Sequence, residues 1–338
     1  MTDPVRAIAD AVLYEGYVLW PYRRSALKNQ RRWTFGGVYP QAHHAGRDDD
    51  PCEMRTDCLL EAGDDAEIDV AVRFLHVVRR RVAAGAGQGR RFVDELTVAG
   101  ERHLAWDEAA EREVEVRGLD EAALTAGRRV ALDVAGGEQE EVLRDADGGV
   151  AGALVRSWEP LAGSVAVGGR RVEPGLLRIT VTIANATPWE GSDREAVLAR
   201  TFNSTHTVLR ARGGAWVSLT DPPDALRDHA EACRSGCAGT WPVLAGEPGA
   251  RNTLLSSPII LEDHPRVAPE SPGDLFDGGE IDGMLVLNIL ALTDEERAEM
   301  RDSDPRTREI LERTEALTPE ELMRLHGTIR DLRVVRER

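Results

Sequence analysis

The sequence predicts an α+β protein, with a β-rich antiparallel body, sandwich- or barrel-like, followed by a C-terminal helical segment. Short runs of alternating apolar and polar residues recur between residue 54 and about residue 219. No helical pattern of 10–15 residues sits between them, as a parallel sheet would need. Beyond residue 292 the signal changes to paired helix caps.

The elements follow in order. AIADAVL begins as a short helix, and Gly16, Pro21 and the aromatics after it favour an extended passage. Residues 54–61 and 67–78 are two β-rich runs joined by the turn-like Ala62-Gly63-Asp64-Asp65, which predicts a hairpin. Gly85 to Gly89 is expected to be a flexible hairpin loop. A second hairpin is expected where Glu95–Val98 and His103–Trp106 flank Ala99-Gly100-Glu101-Arg102. Further strands are predicted at 113–117, 128–134, 150–156 and 176–183, then at Thr207–Leu209 and Ala215–Leu219 around Gly213-Gly214. Residues 224–233 read as a helix after Pro222-Pro223. Thr293 with Glu296 and Thr318 with Glu321 form capping boxes, and Asp304-Pro305 marks a helix start between them. The expected organisation is a body over 1–257 with a subdomain break near 143–150, an acidic Pro-rich loop over 258–283 and a helical tail over 284–338.

The chain has 338 residues, 42 basic and 59 acidic, for a net charge of −17. Such a field repels phosphate backbones and anionic lipids, so neither nucleic acid nor membrane is an expected partner. The longest apolar run, Met284 to Leu292, is far shorter than the roughly 20 residues of a membrane span. The start MTDPVRAIAD has acids where a secretory signal carries a basic region, and four cysteines make no disulfide framework, so the expected compartment is the cytoplasm. Of the basic residues only Lys28 is lysine, a bias that genome composition explains.

Residues 23–33 concentrate positive charge. Arg23, Arg24, Lys28, Arg31 and Arg32 have no acid among them, and Tyr17, Trp20, Tyr22 and Trp33 surround them, with Tyr14, Phe35 and Tyr39 beyond. Guanidinium forks and flat rings suit a carboxylate, a phosphate or an interface hot spot, so the segment is a candidate partner- or anion-binding site. The competing reading pairs it with the chain's own acids, which crowd residues 47–69 and 262–282. A hard cation bound by those acids matches no EF-hand spacing.

On a helix over 224–233, His229 and Cys233 lie one turn apart, with Cys237 just beyond Gly236. This H-x3-C-x3-C set would hold zinc or an iron–sulfur cluster if His43, His44 or a distant cysteine completed it. Against that, Leu226, His229, Ala230 and Cys233 also fit an ordinary apolar stripe. His229-Ala230-Glu231 lacks the separate P-C-x-x-C turn of zinc deaminases. The glycines at 85, 87 and 89 do not fit a dinucleotide loop, and G-x-S-x-G, H-E-x-x-H and Walker A sequences are absent. His76, His206 and His264 have no sequence-visible partner, so enzymatic activity is left open.

YEGYVLWPYRRSALKNQRRWTFGGVYP near the start, and SPIILEDHPRVAPESPGDLFDGGEID with LALTDEER near the end, resemble an uncharacterised protein family encoded among accessory genes of actinobacterial-type NiFe hydrogenases. The resemblance runs through most of the chain and transfers no catalytic residue. It implies a cytoplasmic helper in hydrogenase maturation or assembly, with a hydrogenase subunit or maturation factor as partner. The leading expectation is a non-catalytic accessory protein that docks a partner through segment 14–39. Two alternatives stand beside it: a metal-binding protein or metal-dependent enzyme using His229, Cys233 and Cys237, and a small-molecule enzyme with an arginine clamp.

Overall fold

The computed structural model describes residues 4–14, 35–45, 47, 49–85, 89–266, 286, 289–303 and 305–318. The chain divides into two compact units, Met1–Tyr17 with Arg31–Arg266, and Val18–Gln30 with Val267–Arg338.

The first unit is organised by one strand, β1 (Glu53–Ala84), whose 32 residues serve several neighbours in turn. Its opening stretch pairs with β10 (Leu176–Asn185), with Cys58 opposite Ile179. Its centre pairs with β11 (Asn203–Trp216) on one edge and β5 (Trp106–Leu119) on the other. Its end takes β8 (Val150–Trp158) and β2 (Arg91–Val93). The hairpin expected at 54–78 is therefore a single bent strand. The two halves do not pair with each other; both pair with β11, and Ala62-Gly63-Asp64-Asp65 is an irregularity between the Ala62–Gly214 and Glu67–Arg212 pairs. Close approach explains the turn-like composition, because a Cβ at Gly63 would sit 2.8 Å from the Gly213 carbonyl. For the same reason the two short strands expected around Gly213-Gly214 are one strand, β11.

Elsewhere the predicted strands are present, and strands that the pattern does not reveal join them. β3 (Glu95–Val98) and β4 (Glu101–Leu104) form the second hairpin, but its turn is Ala99-Gly100 alone, two residues in place of the expected Ala99–Arg102, with φ of 50° and 88°, the positive values that such turns require. β6 (Arg128–Val134) pairs with β9 (Leu161–Glu173), β9 with β10, and β7 (Gly137–Arg144) with β8. β12 (Trp241–Leu244) and β13 (Thr253–Ser257) extend the sheet beyond β11. All pairings are antiparallel, and the sheet runs open from β12 to β6 without closing into a barrel.

The core lies where the bent sheet faces itself. Met54, Cys58 and Leu60 share one apolar cluster with Ile68, Val70 and Phe74 of the same strand, and with Leu132, Val165, Ile179, Phe202 and Trp216. Each such side chain contributes about 1.5–3 kcal/mol by leaving water. The helix α1 (Pro4–Tyr14) lays Val5, Ile8, Ala9 and Val12 on Val208, Val243 and Leu255. The short α2 (Gln41–His44), α3 (Glu121–Ala126) and α4 (Arg194–Leu198) sit between strands; Asp120 and Asp193 cap the last two through Ala123 N and Ala196 N. α5 (Arg227–Gly236) packs on β1, burying Leu59 with Ala230 and Cys233.

In the second unit α6 (Asp294–Ser303) and α7 (Pro305–Glu315) pack together as the C-terminal helical segment. The predicted box is present: Thr293 N donates to Glu296 at 2.9 Å and Glu296 N to Thr293 Oγ1 at 3.2 Å. The box at Thr318 and Glu321 falls partly outside the described residues. Among the described residues no helix is long and apolar enough to cross a membrane.

Candidate functional site

Tyr17, Trp20, Tyr22, Arg23, Arg24, Lys28, Arg31, Arg32 and Trp33 lie outside the described residues, and so does most of the acidic loop 258–283. The chain on either side of the aromatic–arginine segment is described. Tyr14 closes α1 with its hydroxyl donating to Glu111 Oε1 at 2.8 Å. From Phe35 onward the backbone runs beside β11, accepting from Ser204 N and Thr205 N and exchanging both hydrogen bonds between Val38 and Phe202. Gly36 is needed there: its φ is +54°, and a Cβ would lie 2.5 Å from Pro258 Cγ.

This extended run delivers Tyr39 and α2 to a concavity. Tyr39 N donates to Pro51 O at 2.7 Å, and Pro40 opens the single turn of α2. That turn buries His43, which is 5% exposed. His43 Nε2 donates to Asp50 Oδ2 at 2.9 Å. Its ring stacks on Tyr39 with centroids 5.3 Å apart and meets Trp189 edge-on at 6.2 Å. The carboxylate fixes the imidazole proton on Nε2 and leaves Nδ1 buried, without a partner among the described residues. Arg194 stands 3.8 Å from Asp50 and 3.5 Å from the Tyr39 hydroxyl. Burial, then the charge of Asp50, pushes the Tyr39 phenol above its usual value.

The opposite wall is the loop between β10 and α4. Trp189 lies under the Arg200 guanidinium at 5.7 Å, and Arg200 is held by Glu159 at 2.7 Å. Trp189 and Arg200, with Ala42, Ser192 and Asp193, line an open cleft of about 750 Å³. Among the described residues no hydroxyl or thiol is hydrogen-bonded to His43, so the geometry lacks a paired nucleophile and base. The cleft offers one ring, Trp189, and one guanidinium, Arg200, with the rigidly held His43 imidazole against that ring, a set suited to recognition. The sequence reading used His43 only as a spare metal ligand and did not single out Trp189, Arg194 or Arg200. The pairing of His43 with Asp50, seven residues on, was the one local signal; the rest of the site is assembled by tertiary contact.

His229, Cys233 and Cys237 do not form the expected centre. His229 Nε2 donates to Glu173 Oε1 at 2.8 Å. Cys233 is fully buried among Leu59, Leu176 and Leu219, and burial raises its thiol to about 11. The sulfur of Cys237 accepts from Asp57 N at 3.3 Å. His43 is committed to Asp50, and His44 Nδ1 lies 3.1 Å from the carbonyls of Arg47 and Asp50. Among the described residues no group of three or more histidines, cysteines, aspartates or glutamates is placed to hold a metal ion. The apolar-stripe reading describes this helix: Ala230 and Cys233 are its buried positions.

What anchors α5 is a buried carboxylate. Asp57 is fully enclosed and accepts from Thr180 Oγ1 at 2.6 Å, from Arg55 at 3.1 Å and from Arg178. Arg178 also donates to Ala232 O at 3.0 Å, satisfying the end of the helix. Burial would push the Asp57 carboxyl up, but the hydrogen bonds from Thr180, Arg178 and Arg55 outweigh it and hold the group below the usual carboxylate range. Other acids of the 47–69 stretch are likewise neutralised by arginine, Glu67 and Asp69 by Arg212 and Glu61 by Arg251. His76 and His206 are buried; burial, then a neighbouring Arg112 or Arg73, lowers them to about 4 and about 3.

No protein-family model and no curated protein matches the chain.

Proposed function

We propose that the chain is a non-catalytic, cytoplasmic accessory protein that docks a partner protein. By the resemblance of its two terminal stretches, the partner is a subunit or maturation factor of a NiFe hydrogenase. The observation that carries the reading is the cleft lined by Trp189 and Arg200, with His43 edge-on to Trp189 and Tyr39 and Arg194 joined to it through the His43–Asp50 cluster. Tyrosine, tryptophan and arginine supply most interface hot spots, because they combine large apolar area with a directional polar end. The aromatic–arginine segment 14–39 is the proposed continuation of this surface, since Tyr39, its last member, stacks on His43, which meets the cleft residue Trp189. The net charge of −17 argues against nucleic acid as the partner.

Co-expression of the full chain with the structural subunits and maturation factors of a NiFe hydrogenase, followed by capture, tests the reading. Recovery of one of these proteins by wild type and a drop of about tenfold or more with Trp189→Ala plus Arg194→Glu is expected, the loss of one hot-spot residue costing about 2 kcal/mol or more. Undiminished recovery by the variant, or no recovery by wild type, discards it.

A further inference from the structure

A second concavity lies on the outer face of β1, β10, β9 and β6, apart from the aromatic cleft. Strand register arranges its residues in rows. Arg129 stands opposite Ala166, Ala166 opposite Thr182, and Thr182 opposite Arg55. The next row is Gly168, Thr180 and Asp57, and the next is Arg170 and Arg178. The alternate residues Val165, Val167, Ile179, Val181 and Ile183 are buried in the core, so these rows face outward. Ala166, Gly168, Thr180 and Thr182 form a floor of short side chains under a cavity of about 350 Å³, which Arg128 and Arg129 also line.

The charge around this floor is one-sided. Arg128 and Arg129 line it, Arg55, Arg170 and Arg178 stand in the same strand rows, and those rows contain one carboxylate, Asp57, which is buried and already bound by Arg55 and Arg178. Five guanidiniums against one carboxylate make this part of the sheet locally positive, Glu53 being the acid of the next row. Arg129 donates to the neutral Ser164 Oγ at 2.8 Å, and among the described residues Arg128, Arg129 and Arg170 have no carboxylate partner. The contrast is with the rest of a chain of charge −17, where arginines such as Arg73, Arg80, Arg156 and Arg212 each meet carboxylates.

We propose that this groove is a binding site for a small, multiply charged phosphate group. The Arg128 and Arg129 guanidiniums on one side and the threonine hydroxyls on the floor match the many acceptor oxygens of a phosphate. No aromatic ring lines the groove, so the charged head is what it recognises. A long polyanion is disfavoured by the field of the whole molecule, whereas a compact one experiences the local surplus.

Gly168 gives a direct test. Its φ is not in the left-handed region, and a Cβ there would come no closer than 3.8 Å to the Leu124 carbonyl, so Gly168→Glu places a carboxylate over the floor without a backbone clash. Calorimetric titration of the full chain with inorganic pyrophosphate at low salt is expected to show one site. Gly168→Glu, and separately Arg129→Glu with Arg170→Glu, should weaken it at least about tenfold. Val142→Glu, an added charge at an exposed position on β7, should leave affinity within about twofold, as should Trp189→Ala, which separates this site from the docking surface. If Gly168→Glu does not fold, the double arginine variant decides. No binding by wild type, equal loss with Val142→Glu, unchanged binding in the arginine variant, or tighter binding of citrate than of pyrophosphate would each overturn the proposal.

Discussion

Replacing Asp57 by asparagine keeps its shape and removes its charge, which isolates what the buried carboxylate does for the docking of α5. Asparagine still accepts from Thr180 on one side, but its amide presents a donor to the guanidinium donors of Arg178, and that contact becomes unfavourable. Removing one member of a buried ion pair costs about 3–5 kcal/mol. Arg55 is 42% exposed and can rehydrate, while Arg178, at 16%, is held under the helix, so the expected loss is about 2–4 kcal/mol. With an m-value of about 3 kcal/mol/M, the urea midpoint falls by about 1 M. The pH dependence has a definite sign. Because the folded carboxyl ionises at lower pH than the unfolded one, its contribution is complete above about pH 4 and disappears as pH falls through the folded value. The gap between wild type and Asp57→Asn should be constant from pH 7 to pH 5 and close in more acidic solution. Gly236→Ala should reproduce the defect, since a Cβ there would overlap Asp57 Oδ2 and Arg178 Nη2. Urea melts of Asp57→Asn within about 0.5 kcal/mol of wild type at pH 7 would refute the anchoring role.

Two further outcomes are expected. His76 and His206 are buried in neutral form, so the unfolded chain binds more protons below about pH 6.5; stability should decline from there toward pH 4, with a shallower slope in His206→Gln, as measured by urea midpoints at half-unit pH steps. An unchanged slope would remove His206 from the account. Burial raises the thiols of Cys58 and Cys233 and leaves both side chains fully enclosed, so alkylation of the native protein at pH 8 should modify Cys52 first and those two only after unfolding; peptide mapping of labelled sites checks the order.

The parts of the fold that local patterning determines were legible in the sequence. β6 falls at residues 128–134 because Val130, Leu132 and Val134 alternate with Arg129, the small Ala131 and Asp133. The β3–β4 turn and the Thr293–Glu296 box were visible because each is closed by residues within four positions. β9 escaped notice: its small residues have weak strand preference, and Gly163 is present because Ala184 O and the Phe202 ring occupy the space a side chain would need. β7 was hidden for the opposite reason, since GEQEEVLR is almost wholly exposed. β1 was divided in two because a bend that accommodates another strand's glycines looks, in one dimension, like a turn. The aromatic cleft was illegible for a related reason. Tyr39 and His43 acquire meaning only beside Trp189 and Arg200, and nothing local announces a meeting between residues so far apart in the chain.

The length of β1 also has a consequence for biosynthesis. Cys58 finds its ladder partner Ile179 only 121 residues later, so at roughly 5–20 residues per second the emerging strand waits about 6–24 seconds before that edge can be covered. Over that interval the opening stretch of β1, Glu53–Glu61, has an open hydrogen-bonding edge, whereas its centre can be covered earlier by β5. Until the later strands arrive, that unpaired edge is the part of β1 open to pairing with another chain.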